Sequence, residues 1–292
     1  MTQVLQLTLS GIALGCVYGL IALGFVLIYK ATETVNFAQG EIMMVGSFFG
    51  LTAGVTLGLP YWAVIIFAIV VTAVCGMLIE LAILRPILGQ PAFTVVMVTI
   101  GLGFIARGVV TMVPAWGTET HTLKTPFTGQ VIRVGELVLA GEQVAIIAMT
   151  ALLCGVLWVF FKRTKMGVAM QATSQNQLAA YYMGIPVRRI NTLIWGIAAG
   201  VAAFAGILLA PITFVHSNMG FIGLKAFPAA VVGGFGSVPG AIVGGLVIGL
   251  VESFAGFYAP EGIKDIAAYI VVLIVLWVRP NGLFGEKLRK KV

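Results

Sequence analysis

A short run of polar residues at positions 36–41 separates two long apolar stretches. Asn36, Gln39 and Glu41 offer hydrogen-bond donors and acceptors, and Gly40 can break a helix and leave backbone groups free for a ligand. This chemistry is typical of a solute path inside a membrane. A plain turn explains the run equally well, with Glu41 stabilised in the first turn of the following helix by the helix dipole.

Three further charged residues, Glu80, Arg107 and Glu252, lie within apolar stretches. A charge at the bilayer centre costs about 2.5 to 3.5 kcal/mol on insertion scales, so such residues are functional candidates. Glu80 is close enough in sequence to Arg85 to form a local ion pair. Arg107 is more central and requires a carboxylate, a helix C-terminus or a watery cavity, and Glu252 is the candidate carboxylate.

The sequence lacks the patterns of several enzyme classes. It contains no G-x-x-x-x-G-K-[ST] phosphate loop, which argues against nucleotide hydrolysis by this chain. His121 and His216 are isolated from each other, and Asp265 is the only aspartate, so a metalloprotease or a Ser/His/Asp hydrolase is not expected. We expect no enzymatic activity, bound metal or bound cofactor.

The amino-acid composition indicates the kind of fold that holds these polar and charged residues in place. Hydrophobic residues make up 60% of the 292 positions and charged residues only 9%, which excludes an ordinary soluble domain. The predicted fold is all-α, a single polytopic membrane domain over 1–292 with about 8 to 9 transmembrane segments, some of them broken or short. The apolar spans are predicted at 5–29, 40–58, 61–84, 92–113, 143–161, 190–211, 222–235, 239–258 and 263–278.

The distribution of basic residues predicts the orientation. With the N-terminus outside and the C-terminus inside, most of the 17 Lys and Arg residues fall on the inner side, as the positive-inside rule requires. The net charge of +7 then reflects topology and not nucleic-acid binding. Two loops are long, an extracytoplasmic loop at 114–142 and a cytoplasmic loop at 162–189. The second contains a Pro-free stretch that predicts one or two short helices.

Glycine spacing predicts close helix packing. Gly11, Gly15 and Gly19 recur every fourth residue, as do Gly245 and Gly249, so each set lies on one helix face where another backbone can approach. A second group of glycines at 233–240, following Phe227 and Pro228, predicts a break between the last spans. That break is either a tight cytoplasmic turn or an unwound segment at the translocation path.

Several of these segments, in this order, resemble the LivH-type permeases of branched-chain amino acid ABC transporters. The resemblance is carried by four motifs that span nearly the whole chain: the run 36–46, the inner loop 165–185, the glycine-rich break 233–240 and the ending 279–285. It implies a subunit of the bacterial inner membrane that pairs with a second, related permease. It also implies two cytoplasmic ATPases that use the ATP and an extracytoplasmic substrate-binding protein.

The resemblance also assigns roles to residues. In such importers a short helix with an Ala-Ala-x-x-x-Gly pattern docks into the ATPase, and Ala179, Ala180 and Gly184 match it. Gln171 and Asn176 stand where relatives carry charges, which leaves the charge contacts with the ATPase open, and an ordinary amphipathic surface helix is the alternative. The full expected sets are Gln171, Ala172, Asn176, Ala179, Ala180 and Gly184 for ATPase coupling, and Asn36, Phe37, Gln39, Glu41, Arg107 and Glu252 for the substrate path.

Two alternatives for the function remain open at the sequence level. Related permeases carry urea, amides or other amino acids, and these cargoes are not separated by the sequence. An autonomous channel or secondary transporter for a small neutral solute would not need the Ala-Ala-x-x-x-Gly loop, and the paired Asn-Pro-Ala segments of water channels are absent.

Overall fold

The computed structural model describes residues 2–87, 89–134, 137–260 and 262–285. Within these ranges the chain is mainly helical, with one small antiparallel sheet. The helices are α1 (Thr2–Thr32), α2 (Gln39–Leu51), α3 (Tyr61–Ile79), α4 (Ala92–Met112), α5 (Gly141–Arg163), α6 (Lys165–Gln175), α7 (Gln177–Tyr182), α8 (Val187–Thr213), α9 (Phe221–Gly233), α10 (Val238–Tyr258) and α11 (Ile263–Val278). Wider π-helical turns extend α2 over Thr52–Thr56 and α3 over Glu80–Leu84.

The nine predicted apolar spans coincide with α1 to α5 and α8 to α11. Six of the described helices, namely α1, α3, α4, α5, α8 and α10, are long and apolar enough to cross a membrane. Helix α2 has 13 residues before its π-helical extension, α9 has 13 and α11 has 16. The number of segments that cross therefore stays a prediction.

The predicted all-α fold is confirmed as mainly helical, and the loop at 114–142 adds one pair of strands that was not predicted. Strands β1 (Val131–Val134) and β2 (Leu137–Ala140) pair antiparallel there, with Val131 opposite Ala140. Valine and isoleucine are enriched in this segment, and β-branched residues favour extended backbone. The loop thus ends at Ala140, where α5 begins.

Helices α1 and α8 form the centre of the bundle. In each, 89% of the most apolar window is buried by other parts of the chain, compared with 22% in α4 and in α5. Lipid is as apolar as leucine, so helices in a membrane associate through close packing of small residues and not through the hydrophobic effect. The Gly and Ala residues of α1 and α8 let neighbouring helices pack closely against these two.

The predicted glycine faces meet each other in the contact between α1 and α10. A side-chain carbon on Gly15 would lie 2.7 Å from the Leu246 Cα, and one on Gly249 would overlap the backbone of Gly15. The two helices are antiparallel, because Gly11 contacts Leu250 whereas Gly19 contacts Ile242. The predicted backbone approach is confirmed here.

We expect Gly249→Ala to lower the free energy of unfolding by about 1 to 3 kcal/mol, because the new methyl group cannot fit without separating α1 from α10. Gly101→Ala is the matched control, since nothing lies within 4 Å of the added carbon and alanine is the better helix former. Thermal unfolding of both variants in detergent measures the difference. Equal stability of the two would contradict the packing described for Gly249.

Basic residues gather at one end of the bundle, called the basic end below. Lys30 and Lys162 line one cavity there, and Arg85 donates to the Arg188 carbonyl at 3.4 Å. At the opposite end, Gln6 near the start of α1 donates to the Val138 carbonyl just before α5. Because both helices start at that end and finish at the basic end, α1 and α5 run in the same direction. The four basic residues lie at one end, as expected. The basic residues of the tail, Lys287, Arg289, Lys290 and Lys291, lie outside the described residues, and the side of the membrane that this end faces stays a prediction.

Candidate substrate path and coupling segment

The polar run 36–41 lies inside the bundle. Asn36 and Gln39 are almost completely buried, and the Gln39 amide fills the space beside Gly24 and donates to the Ala198 carbonyl at 3.1 Å. Gly24 precedes the end of α1 by eight residues, about 12 Å along the helix. The chain therefore turns back into the protein before α2 begins. Of the two alternatives, the plain surface turn is wrong, although Glu41 does lie in the first turn of α2.

Hydrogen bonds hold the Asn36 and Gln39 side chains and the backbone beside them in place. Asn36 donates to the Gln39 side-chain oxygen at 3.3 Å and accepts from the Ala38 backbone N–H at 3.1 Å. The Phe37 N–H donates to the Thr99 hydroxyl of α4 at 3.2 Å. The Phe37 ring is half-buried and packs against Phe227 of α9, with ring centroids 5.5 Å apart. Asn36 and Gln39 thus fix the break in position, and Phe37 contributes an apolar surface.

Arg107 pairs with Glu41 and not with Glu252. The guanidinium of Arg107, on α4, donates to Glu41 Oε1 and lies 4.0 Å from the centre of the Phe221 ring. The prediction that Glu252 pairs with Arg107 is wrong, because the Glu252 carboxylate accepts hydrogen bonds from other residues. Glu41 Oε2 and Arg107 Nε are both buried without a hydrogen-bond partner among the described residues. The pair therefore keeps unused hydrogen-bonding capacity inside the bundle.

The start of α9 lies against the start of α2. The segment 214–220 first pairs Val215 with His121 at the end opposite the basic one, through backbone bonds of 2.8 and 2.9 Å, and then enters the bundle. A side-chain carbon on Gly223 would overlap the Gly40 backbone, and one on Gly220 would overlap the Glu41 carboxylate. Glu41 thus lies at the N-terminus of α9, where the helix dipole favours negative charge.

Gly220, Phe221, Gly223 and Thr99 were not among the predicted site residues. The spacing Gly220-x-x-Gly223 is visible in the sequence. Its meeting with Gly40, however, depends on tertiary structure that spacing alone does not reveal.

Glu252 belongs to a second buried cluster that joins α1, α9, α10 and α11. Tyr18 donates to Glu252 Oε2 at 2.7 Å, and the Lys225 ammonium donates to Glu252 Oε1 at 3.3 Å and to Asp265 at 2.6 Å. Glu252 is nearly fully buried, whereas Asp265 is exposed. The cluster ties four helices together with charge-assisted bonds.

Tyr18→Phe should lower the free energy of unfolding by about 1.5 to 3 kcal/mol, since it removes a buried hydrogen bond to a carboxylate and leaves the ring in place. Tyr258→Phe, at an exposed tyrosine of α10, is the control and should be neutral. Thermal unfolding of the purified variants compares them. A Tyr18→Phe protein as stable as the control would show that the bond to Glu252 contributes nothing.

The loop at 162–189 forms the two predicted short helices, α6 and α7. Thr164 caps α6 by accepting from the Gly167 N–H at 3.0 Å, and Asn176 caps α7 by accepting from the Ala179 N–H at 2.9 Å. Gly184 has a φ of +81°, in the left-handed region, and ends the segment as expected. The Gln177 side chain donates to the Ala31 carbonyl at 2.5 Å and fixes α7 to the end of α1.

The six residues expected to couple to an ATPase do not share one surface. Gln171, Asn176, Ala179 and Gly184 are exposed, Ala172 is half-buried and Ala180 is buried. Sequence reasoning missed the apolar surface beside them, here called the α7 patch, which consists of Leu178, Tyr181, Tyr182 and Met183, each at least 66% exposed. Consecutive large apolar residues next to two alanines were the available signal.

Comparison with known proteins identifies the family. A family model described as "Branched-chain amino acid transport system / permease component" matches residues 7–276. The chain belongs to this permease family.

The alignments with two named relatives cover nearly the whole permease. It is 32% identical over 303 residues to the high-affinity branched-chain amino acid transport system permease protein LivH of Salmonella typhimurium, covering 99% of this chain and 97% of the relative. It is 31% identical over 302 residues to the corresponding permease protein BraD of Pseudomonas aeruginosa, covering 99% and 98%. The structure of PsaBC from Streptococcus pneumoniae in complex with a Fab has a TM-score of 0.50 at 17% identity, covering 94% of this chain and 92% of that chain, a likeness of fold alone.

The structure also describes two other features that the sequence predicted, the Glu80–Arg85 ion pair and the glycine-rich break. Arg85 donates to both oxygens of Glu80, at 3.2 and 3.0 Å, so their predicted ion pair is confirmed, and Thr192 of α8 joins it at 2.7 Å. The glycine-rich break is a short turn at residues 234–237, capped by Ser237. Pro228 lies within α9, contrary to its expected place in the break.

Proposed function

We propose that this chain is the permease subunit of an ABC importer and translocates branched-chain amino acids across the bacterial inner membrane by alternating access. The observation that carries the proposal is the near full-length match to permeases named for this cargo. Less similar relatives are a fructose import permease of Bifidobacterium longum, at 26% identity, and a guanosine transporter permease of Bacillus subtilis, at 28% over 181 residues. Urea and amides gain no support from these names.

The proposed path runs along the place where α2 and α9 begin. Broken helices that start inside the bundle are typical of transporter substrate sites. Phe37 and Phe227 supply apolar walls for an aliphatic side chain, and Glu41 with Arg107 supplies charges that match those of an amino acid. We assign Asn36 and Gln39 to holding the break, and Glu252 to joining the helices beside the path.

The proposed energy source is a pair of separate ATPase subunits at the basic end. This end faces the cytoplasm if the positive-inside rule holds, with the N-terminus outside. There the α7 patch, with Ala179 and Gly184, is the surface proposed to receive the ATPase. A second permease subunit and an extracytoplasmic binding protein complete the proposed importer, and the binding protein supplies most of the affinity for the cargo.

Uptake of radiolabelled leucine tests the cargo. The complete transporter, expressed in cells without their own branched-chain uptake, should import leucine, and excess isoleucine or valine should compete. The same cells lacking only this chain are the control. Competition by urea, acetamide or glutamate, without competition by valine, would contradict the proposed cargo.

A further inference from the structure

A large open cavity lies at the basic end between α1, α5, α6 and α10. Its volume is about 860 Å³, which is within the range of small-molecule sites. The cavity is separate from the proposed path, because none of Phe37, Glu41 and Arg107 lines it.

The inner part of the cavity is apolar and extends along the helices. Leu23 and Leu27 of α1, Leu157 of α5 and Ile242 of α10 line it. Leu23 and Lys30 are seven residues apart on α1, which places the deepest lining about 10 Å from the mouth. A slot of this length suits a hydrocarbon chain.

The mouth of the cavity is basic and polar. Lys30 lies in the last turn of α1 and Lys162 in the last turn of α5, and Gln171 and Ser174 of α6 line the same cavity. No Asp or Glu is among the lining residues of the described chain. Neither lysine forms an ion pair with a carboxylate in the described ranges. The Lys162 ammonium lies over the Trp158 ring, 4.8 Å from its centre.

We propose that this cavity binds an anionic phospholipid, with an acyl chain in the apolar slot and the phosphate between Lys30 and Lys162. The charges are complementary, and two lysines without a carboxylate partner among the described residues favour an anionic headgroup by about fivefold each. The occupant arrives from the membrane, because the flank of α5 beside the cavity exposes Leu152, Val156 and Trp158. A basic recess between helices at the membrane boundary is suited to this ligand.

Quenching of Trp158 fluorescence by brominated lipids tests the site. The purified chain is reconstituted with brominated phosphatidylglycerol or brominated phosphatidylcholine, and subtraction of the Trp158→Phe signal isolates this residue from the other four tryptophans. Phosphatidylglycerol should quench Trp158 at an at least fivefold lower lipid fraction than phosphatidylcholine does. The double variant Lys30→Gln/Lys162→Gln should lose this preference, whereas Lys124→Gln, in the exposed loop after α4, should keep it.

Three outcomes would overturn the proposal. The first is equal quenching by the two lipids in the wild-type chain. The second is an unchanged preference in the double variant, with thermal unfolding used to verify that this variant folds as the wild type does. The third is loss of the preference on adding millimolar inorganic phosphate, which would assign the site to a soluble anion.

Discussion

Arg107→Gln is expected to abolish uptake and to reduce the folded yield of the permease sharply. Glu41 is 8% exposed, and the Arg107 guanidinium is the cation that pairs with it. Removing one partner of a buried ion pair costs about 3 to 5 kcal/mol, because the other charge is left uncompensated. In a membrane protein of marginal stability, this loss is comparable with the total.

The double variant Glu41→Gln/Arg107→Gln separates the role of charge balance from that of transport. It has no uncompensated charge, so its folded yield should recover much of the loss. Uptake should stay low, since the charges proposed to contact the amino acid are gone. Lys124→Gln, which removes an exposed cation, is the control for folding and uptake. Normal uptake by Arg107→Gln would contradict both roles assigned to the pair.

Gly184→Arg is expected to uncouple ATP hydrolysis from uptake without unfolding the permease. Gly184 is exposed, and nothing lies within 4 Å of its missing side chain, so an arginine there meets solvent in this chain alone. In the proposed complex it would project from the end of the α7 segment toward the ATPase. Leucine uptake should fall to background, whereas ATP hydrolysis on the same preparation should continue at a rate that leucine no longer stimulates.

Gly184→Asn distinguishes bulk from backbone strain. The φ of +81° disfavours most side chains, but asparagine tolerates the left-handed region better than most. The asparagine variant should therefore keep most of its coupled activity. If both variants uncouple, the backbone and not the docking surface is responsible, and if neither does, Gly184 is not at the ATPase interface.

Local features of the sequence predicted much of the fold. Apolar runs predicted the helices, and the four-residue glycine spacing predicted faces open to close backbone approach, which is where Gly15 and Gly249 meet. Glu80 and Arg85 lie close enough along the chain for their ion pair to follow from the sequence. Gly184 and Pro186 predicted the end of the short helix that is α7.

The sequence did not predict which residues far apart along the chain contact each other. Glu252 was the carboxylate predicted for Arg107, but Arg107 meets Glu41 because of how α2 and α4 pack, which no local pattern encodes. The same holds for Gly40 against Gly223. Burial of the run 36–41 depends on the Gln39 amide fitting into the space beside Gly24. Such steric complementarity cannot be predicted from the amino-acid composition.

Reconstitution in proteoliposomes tests the central claim that this permease moves its cargo only when separate ATPases drive it. The vesicles contain either this chain alone or this chain with its second permease and both ATPases, with binding protein and labelled leucine outside and ATP inside. We predict leucine accumulation in the complete vesicles with ATP, and none without ATP or with this chain alone. Leucine flux through vesicles that contain only this chain would contradict the account and indicate an autonomous channel or carrier.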